Sequence, residues 1–364
     1  MVNYGLVGCG MMGREHIKNI LLLPNSKISG IYEPNRNMRE LAKALVSDTN
    51  FFESIKDLVT KERLDCLIIA TPNFRHIEDL YEIKKFIELP ILLEKPAVTK
   101  ISDIQRLLAF EREYQAPIWI AMEYRYMPVL KEFIAKAYQF TGGVEMLTVR
   151  EHRFPFLQKV NNWNRFNKYS GGTFVEKCCH FFDIMRLILS SNPVRVMASG
   201  AQVCNHLEES HEGKSTDIWD SGYVLVDFEN GSRAMLELCM FADASIYQEE
   251  ISAVGKLGKI ECKIIGPKRF WNQKNGDQPE SKIIFNERKT KLITKKNIPV
   301  DPILLEAGDH NGSTFYQHQK FRQVVLEGKE VEVNTEDGIW AVRIGLAAQI
   351  SAVKKRAVDL SEVI

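Results

Sequence analysis

The sequence has neither the charge imbalance nor the long apolar segments that would indicate nucleic acid or a membrane as a partner. Its 48 Lys and Arg residues nearly balance 47 Asp and Glu residues, for a formal net charge of +1. No apolar run reaches the roughly 18 residues of a membrane span, and the N-terminal MVNYGLVGCG lacks the basic start and apolar core of a secretory signal. We therefore expect a cytoplasmic protein with no nucleic-acid or membrane partner.

Cysteine pairs of the kind that hold zinc are also missing. The seven cysteines are scattered, and no Cys-x-x-Cys spacing occurs. Cys178 and Cys179 are adjacent, but a reducing compartment disfavours a vicinal disulfide. Several of the others sit inside apolar runs such as LDCLIIATP. We predict buried, reduced thiols that pack as small hydrophobic side chains, with no disulfide and no metal site.

The hydrophobic pattern predicts two domains with a boundary near residue 125. Up to that point, apolar runs such as YGLVG, KISGIYE and DCLIIAT alternate with helix-like runs, which predicts an α/β, doubly wound parallel sheet. Beyond it, runs such as SGYVLVDFE and SRAMLELCMF alternate with period two, and Asn230-Gly231 between them is a hairpin signal. They predict an α+β domain with a mainly antiparallel sheet.

The expected domain bounds are 1–125 and 126–364. Residues 173–189 read as one helix inside the second domain. Residues 266–300 are rich in charge and turn formers, and read as a mobile excursion or a hairpin. A periodic helix is expected at about 335–355, where it can pack back on the first domain.

A glycine motif at the start of the chain favours a dinucleotide. Gly8-x-Gly10-x-x-Gly13 follows a strand and opens a helix, so its backbone and the helix N-terminus can hold a pyrophosphate. Glu33 ends the next strand, where its carboxylate can accept hydrogen bonds from ribose hydroxyls. Arg36 can reach a 2′-phosphate, yet Glu33 would repel it. NAD is therefore the expected cofactor, with NADP less favoured.

Two further strand ends belong to the expected cofactor cleft, because ligands of open α/β sheets bind at the carboxyl edge. In ATPNFRH, Thr71 and Pro72 line the cleft, Asn73 is expected to cap the next helix, and His76 reads as a surface helix residue rather than a catalyst. The predicted cofactor-binding residues are Gly8, Gly10, Met11, Met12, Gly13, Glu33, Arg36, Thr71, Pro72, Asn73, His76, Glu94, Lys95 and Arg125.

The segment LLEKPAVTK places Lys95 at the end of an apolar strand, immediately before a proline. This position aims its ammonium at the cleft, and we expect Glu94 to hold it there. Burial and a cationic nicotinamide would both depress the pKa of Lys95. The lysine is thus a candidate for exchanging a proton with a substrate hydroxyl.

The segment VEKCCHFFD supplies a second set of candidate catalytic groups. On a helix, Glu176 and His180 are four residues apart and share a face, while Asp183 can orient the His180 ring from behind. Two alternatives remain open from the residues alone. His180 can be a core histidine bonded to Asp183, or a metal ligand, although a metal would need ligands on another element.

Taken in order, these motifs resemble those of the glucose-fructose oxidoreductase / inositol dehydrogenase / MocA (Gfo/Idh/MocA) family. The resemblance rests on the glycine motif, ATPNFRH, EKP, EYRYMP and SGGTFVEKCCHFFD, with DHNGSTFYQHQKF near the C-terminus. It implies a Rossmann domain and a C-terminal domain whose open sheet often forms homodimers or homotetramers. It also implies catalytic roles for Lys95 and His180, with Glu176 in place of the family's aspartate; Asp183 completes the predicted catalytic set.

The segment REHRFPFLQKVNNWNRFNKYSGG mixes aromatic, Arg and Asn residues, a combination suited to the apolar faces and hydroxyls of a carbohydrate. A solvated, charged loop is the alternative interpretation. The density of cations would suit an anionic sugar. The predicted substrate-contacting residues are Tyr124, Arg153, Trp163, Arg165, Lys168, Glu176, His180 and His310.

The resulting hypothesis is an NAD-dependent oxidoreductase acting on a secondary hydroxyl of a sugar, sugar derivative or cyclic polyol. One alternative is an NAD-dependent glycosidase working by oxidation, elimination and reduction, with His152, Glu176 or His310 as the extra base. Another is a non-catalytic sensor of sugar or dinucleotide, although a sensor has no need of both Lys95 and His180. The substrate, the reacting carbon and the choice between dimer and tetramer stay open.

Overall fold

Two β-sheets organise the chain in the computed structural model, which describes residues 1–272, 274 and 276–363. The strands of the first sheet are β1 (Val2–Val7), β2 (Ser26–Tyr32), β3 (Asn50–Phe52), β4 (Cys66–Ile69), β5 (Ile91–Leu93) and β6 (Ile118–Ile120). They lie in the order β3-β2-β1-β4-β5-β6, and every neighbouring pair is parallel. The predicted doubly wound parallel sheet is confirmed.

Helices connect these strands, as parallel pairing requires. They are α1 (Met11–Leu21), α2 (Arg36–Lys43), α3 (Ile55–Lys61), α4 (His76–Lys84) and α5 (Ile101–Glu113). The three strands β4, β5 and β6 are buried along their whole length, which explains their continuous apolar runs. Sequence reasoning missed β3 and α3, since a three-residue edge strand carries almost no periodic signal.

The rest of the chain forms a second, mixed sheet with its own helices. Its strands are β7 (Met146–His152), β8 (Pro193–Ala201), β11 (Ser221–Phe228), β12 (Arg233–Cys239), β13 (Glu249–Val254), β14 (Gly258–Ile264), β15 (Lys282–Glu287), β16 (Ile293–Asn297) and β17 (Val358–Asp359). A separate ribbon pairs β9 (Ser210–His211) with β10 (Lys214–Ser215). The helices are α6 (Pro128–Thr141), α7 (Asn167–Ser170), α8 (Thr173–Glu176), α9 (Cys179–Leu189), α10 (Pro302–Ala307), α11 (Ser313–Glu327) and α12 (Thr335–Lys354).

The order of the second sheet is β16-β15-β14-β13-β7-β12-β11-β8-β17. Of the strand pairs described within this sheet, only β7 and β12 are parallel. The prediction of a mainly antiparallel sheet is therefore confirmed. Asn230 and Gly231 form the turn between β11 and β12, with Gly231 at φ 84°. Within 266–300, β15 and β16 pair as the hairpin that the turn formers indicated.

The predicted helix over 173–189 is wrong in one respect, because it is broken in two. The α8 helix ends at Glu176 and α9 begins at Cys179. Both remain fully buried apart from two positions near the end of α9, so the break lies inside the core. All seven cysteines are free thiols, and none of the described helices has the length and apolarity to cross a membrane.

The long helix α12 lies between the two sheets and contacts both. Asn334 caps it, accepting a hydrogen bond from the Asp337 amide at 3.0 Å. A Cβ at Gly338 would approach Ile120 of the first sheet to 3.0 Å, and a Cβ at Gly345 would approach the Phe174 carbonyl oxygen to 2.6 Å. Glycine thus permits the close packing of α12 against α8.

We predict that Gly345→Ala destabilises the protein by about 1–3 kcal/mol, because the added methyl collides with backbone that cannot move cheaply. The cost of this collision outweighs the gain of roughly 1 kcal/mol that alanine normally brings over glycine in a helix interior. Urea unfolding measures the difference. Val353→Ala, at a residue 68% exposed on the same helix, serves as the control and should change stability little. A Gly345→Ala variant as stable as the wild type would contradict the packing described.

Candidate active site

The glycine motif leaves room for a phosphate at the start of α1. Gly8 lies at φ 89°, a conformation that glycine adopts readily. A Cβ at Gly13 would lie 2.4 Å from the Gly8 carbonyl oxygen, so glycine is needed for α1 to pack on β1. A Cβ at Gly10 would meet no atom within 4 Å. The open space beside Gly10 and the amides of the helix N-terminus fit a pyrophosphate.

Glu33 directly follows β2 and is buried beside the same loop. Its two carboxylate oxygens accept hydrogen bonds from the backbone amides of Cys9, at 2.7 Å, and Asn35, at 2.8 Å. Each oxygen retains acceptor capacity for a ribose hydroxyl. Arg36 opens α2 and is exposed.

The segment after β4 differs from its prediction at two residues. Asn73 does not cap α4; it begins a short 3₁₀ turn, and its side-chain nitrogen is buried with no partner among the described residues. His76 is fully buried rather than on the surface. Its ring nitrogens lie 3.1 Å from the Thr71 carbonyl oxygen and 2.9 Å from that of Pro96. His76 thereby joins the loop after β4 to the loop that follows Lys95.

Glu94 does not hold the Lys95 ammonium, contrary to expectation. Its Oε1 lies 2.8 Å from His16 Nε2, and its Oε2 accepts the backbone amide of Lys95 at 3.1 Å. Burial alone would lower the pKa of His16, but Glu94 outweighs it and raises that pKa. His16 Nδ1 lies 2.9 Å from His318 Nε2, so this network links β5 to α1 and α11.

Lys95 instead contacts Glu176 of α8. Its Nζ donates to the Glu176 backbone oxygen at 3.1 Å and lies 3.7 Å from the carboxylate Oε2. Burial would lower the pKa of Lys95, but Glu176 and other neighbouring groups raise it above the ordinary value. The prediction that the surrounding protein lowers the pKa of Lys95 is therefore wrong. Lys95 is a charged hydrogen-bond donor at neutral pH.

Glu176 also binds a lysine that sequence reasoning missed. Its Oε1 accepts a hydrogen bond from Lys159 Nζ at 2.8 Å. Burial would raise the pKa of Glu176, but Lys159 and Lys95 together lower it to about 2. The glutamate is therefore ionised and lies between two ammonium groups.

His180 lines the same cavity as Lys95. Its ring stacks on Tyr124 with centroids 4.0 Å apart and planes 7° apart, and its Nδ1 is buried with no partner in the described part of the chain. Burial, and after it the charge of Lys95 and of Lys177, lower the pKa of His180 well below its usual value. The ring is a neutral imidazole with an unused hydrogen-bonding nitrogen.

Asp183 does not orient His180, so that prediction is wrong. Both of its oxygens bind the Arg125 guanidinium, with Arg125 Nε 2.6 Å from Oδ2. Arg125 also lies 3.2 Å from Asp337 of α12 and donates to the Glu332 carbonyl oxygen at 3.1 Å. This buried network fastens α9 to α12 and to the segment after β6, and it places Arg125 away from the cavity.

The cavity unites only part of the predicted substrate set. Tyr124, Arg153, Glu176, His180 and His310 line it. Three others lie elsewhere: Trp163 packs edge-on against Phe74, Arg165 binds Glu209 at 2.8 Å, and Lys168 lies over the Tyr169 ring. His152 is paired with Glu237 on the sheet. The cavity residues that the sequence did not reveal as such include Glu15, Glu123, Lys159, Lys177 and Gln248.

His310 bridges two carboxylates at one wall of the cavity. Its Nδ1 lies 2.6 Å from Glu15 and 3.5 Å from Glu123, and the Thr314 hydroxyl lies within 3.0 Å of both. One nitrogen of His310 and one oxygen from each of Glu15 and Glu123 lie within 4.8 Å of one another, a spacing that could hold a metal ion. Both carboxylates, however, are already in contact with His310 and Thr314. Burial would lower the pKa of His310; Glu123 and Glu15 outweigh it and raise that pKa to about 9.

Comparison with known proteins identifies the family of the chain. Residues 2–122 match the oxidoreductase family described as "NAD-binding Rossmann fold", and residues 141–360 match its "C-terminal alpha/beta domain". The chain belongs to the Gfo/Idh/MocA oxidoreductase family. The resemblance stated from the sequence is therefore confirmed.

Members of the Gfo/Idh/MocA family align along the whole chain. Myo-inositol 2-dehydrogenase of Thermotoga maritima is 21% identical over 99% of both chains, and inositol 2-dehydrogenase of Rhizobium meliloti is 23% identical over 99% of both. The crystal structure of a probable dehydrogenase from Thermotoga maritima superposes with a TM-score of 0.78 at 21% identity, covering 100% of both chains.

In this Gfo/Idh/MocA protein, His310 should make stability depend on pH. Because its pKa is raised on folding, the ion pairs with Glu15 and Glu123 stabilise the fold fully below the unfolded-state pKa of about 6.5. That contribution, on the order of 2 kcal/mol, is lost as pH rises through about 9. We expect urea unfolding between pH 6 and pH 9.5 to show this loss in the wild type and not in His310→Gln.

His152→Gln is the matched control, because His152 lies outside the cavity. It should retain the wild-type pH dependence. If His310→Gln loses as much stability over this range as the wild type does, the ion-pair assignment fails.

Proposed function

We propose that this protein is an NAD-dependent dehydrogenase of a secondary hydroxyl on a sugar, sugar derivative or cyclic polyol. The observation that carries the proposal is that Lys95 and His180 line one cavity. Their surroundings raise the pKa of Lys95 and lower the pKa of His180, so the lysine is protonated and the histidine is neutral. Groups whose environments separate their protonation states in this way are suited to acid and base roles. The names of the inositol dehydrogenases that align along the whole chain support a polyol substrate.

The cofactor site is built at the carboxyl edge of the first sheet. The Gly8 to Gly13 loop would hold the pyrophosphate, Glu33 would accept the ribose hydroxyls, and Met12 borders the substrate cavity. NAD, when bound, supplies the hydride acceptor. The carboxylate of Glu33 favours NAD over NADP, since it would repel a 2′-phosphate.

Two residues of the protein would carry out the proton transfer. His180, neutral at pH 7, accepts the proton of the substrate hydroxyl, while the Lys95 ammonium donates a hydrogen bond to the same oxygen. Glu176 keeps Lys95 charged, and Tyr124 fixes the plane of the His180 ring. In the reverse direction the same groups return the proton to the carbonyl oxygen.

The glycosidase alternative needs a further base beside the cavity. Of the three candidates, His152 is paired with Glu237 away from the cavity and Glu176 is held by two lysines. His310 lines the cavity, but Glu123 and Glu15 raise its pKa to about 9, so it is protonated at neutral pH and poorly suited to act as a base. A dehydrogenase accumulates NADH from free polyols, whereas the glycosidase would release an aglycone with catalytic NAD.

A second copy of the chain is proposed to cover the outer face of the nine-stranded sheet. On this face Leu225 lies directly opposite Met197, and both are about half exposed, as is Tyr223. An apolar patch on one face of a sheet is typical of a protein interface. A homodimer or homotetramer through this sheet accounts for it.

Lys95→Ala and His180→Ala should each lower kcat by roughly 10²–10⁴, because each removes a group that handles the substrate oxygen or its proton. NADH absorbance with a panel of cyclic polyols and sugars measures the effect. Lys100→Ala, whose side chain is 63% exposed, is the control and should retain activity. Wild-type turnover in both cavity variants would overturn the assignment of roles.

Glu33→Ala should weaken NAD binding by about tenfold or more, since it removes a charged acceptor of ribose hydroxyls. Binding is measured by nicotinamide fluorescence with NADH and NADPH in parallel. Glu33→Gln, which keeps the side-chain length, separates the loss of charge from loosening of the loop. Glu53→Ala, at an exposed glutamate paired with Arg39, is the control. Unchanged affinity for NADH in Glu33→Ala would refute the assignment.

A further inference from the structure

One carboxylate at the cavity is shared by two lysines. Glu176 lies 2.8 Å from Lys159 Nζ and 3.7 Å from Lys95 Nζ. No other salt bridge to Lys95 or Lys159 is present in the described part of the chain. Two ammonium groups face one carboxylate, so this wall carries about one uncompensated positive charge.

A second carboxylate is shared in the same way. Glu151 Oε1 lies 2.8 Å from Lys177 Nζ and 3.5 Å from Arg153 Nη1. Glu151 is fully buried, and its Oε2 has no hydrogen-bond partner among the described residues. Lys177 and Arg153 both line the cavity.

One further acidic residue, Glu249, lies beside Glu151 and is at most partly ionised at neutral pH. Glu249 lies directly across the antiparallel pair from Glu151, and both are fully buried. Burial and the neighbouring Glu151 raise the pKa of Glu249 to about 7, because two adjacent buried carboxylates resist being ionised together. At the other wall, Glu15 and Glu123 face His310 as their one ion-pair partner among the described residues, and Asp309 is paired with Arg269. The excess of positive charge is therefore local to the wall that carries Arg153 and the three lysines.

Arg153 is held loosely compared with the other buried arginines. Its Nε donates to the Phe154 carbonyl oxygen at 3.3 Å, and its Nη2 has no partner among the described residues. By contrast, Arg125 and Arg165 reach their carboxylates at 2.6 and 2.8 Å. The Arg153 guanidinium lies over the Phe154 ring, which orients the guanidinium plane. Its N–H donors on Nη2 remain available for a ligand.

Both sets of cations surround His180. Lys177 Nζ donates to the Tyr124 hydroxyl at 2.7 Å, and the Tyr124 ring stacks on His180. The charges of Lys95, Lys177 and Arg153 all reach His180, where they contribute to its lowered pKa. A small molecule with a hydroxyl at His180 can therefore also reach the donors of Arg153 and Lys177.

We propose that the substrate carries a carboxylate, bound by Arg153 and Lys177, on the same small molecule whose hydroxyl meets Lys95 and His180. The inference rests on the proposed dehydrogenase function and names its substrate class as a sugar acid or polyol acid. A substrate carboxylate would add a negative charge beside Arg153 and Lys177, which share the single carboxylate of Glu151. The planar fork of Arg153 matches the geometry of a carboxylate.

The test compares four sugars that differ only at C6: glucose, glucuronate, glucose 6-phosphate and sulfoquinovose. Each is assayed for NADH formation, and each is titrated in a thermal-shift assay in the presence of NAD. The galactose and galacturonate pair repeats the comparison on a second ring. Wild-type protein is run beside Arg153→Met, which keeps the apolar stem, Arg153→Lys, which keeps the charge, and the control Arg112→Met at an exposed position of α5.

We expect the wild type to favour the uronates over their neutral partners in kcat/KM. Arg153→Met should reduce that ratio by about 10- to 100-fold, as expected for loss of a charge-assisted hydrogen bond. Arg153→Lys should restore part of it, and Arg112→Met should leave it unchanged. If no sugar is oxidised, uronate protection that Arg153→Met abolishes still supports the inference.

Other outcomes overturn it. Turnover of neutral sugars with no preference for uronates would refute the carboxylate while sparing the dehydrogenase proposal. A preference for glucose 6-phosphate or sulfoquinovose over glucuronate would refute the carboxylate and identify a phosphate or a sulfonate as the bound group. A preference that survives in Arg153→Met would refute the assigned residue, and neither turnover nor Arg153-dependent protection by any uronate would refute the inference.

Discussion

The contact between Lys95 and Glu176 joins the two halves of the active cavity. Lys95 leaves the carboxyl edge of the first sheet, and Glu176 ends α8 in the second half of the chain. A buried charge without a partner is costly, so each side chain holds the other in place at the cavity. The relative position of the strand end and α8 is thus tied to the chemistry, since the same contact keeps Lys95 protonated.

A second buried network positions His180 without touching it. Asp183 lies three residues after His180 on α9 and is bound to Arg125, which in turn contacts Asp337 of α12. The ring itself is oriented by stacking on Tyr124. Asp183 therefore fixes the helix, and Tyr124 fixes the side chain. A hydrogen bond donated by the ring to the Asp183 carboxylate would stabilise the charged imidazolium. Without it, burial and the charges of Lys95 and Lys177 lower the pKa of His180 and leave the ring neutral.

Much of the fold, but less of the site, followed from the sequence. The parallel sheet, the glycine loop and the placement of Lys95 and His180 depend on local patterns: apolar strands, a strand-to-helix turn, and side chains at strand ends. The roles of Lys177, Glu151 and Glu249 depend on contacts between α8, β7 and β13, segments that are far apart in the chain. No local pattern encodes such pairing. Short elements such as β3, and the break between α8 and α9, lack the periodicity that reveals longer ones.

The glutamate at position 176, where the family resemblance implies an aspartate, has a physical explanation in its two partners. Its backbone oxygen accepts from Lys95 at 3.1 Å, while its carboxylate reaches Lys159 at 2.8 Å and stays 3.7 Å from Lys95. The extra methylene of glutamate extends the carboxylate toward Lys159. A shorter aspartate in the same place would reach less far. In this chain the longer side chain lets Glu176 contact Lys159 and Lys95 together, so two lysines share one carboxylate at this wall of the cavity.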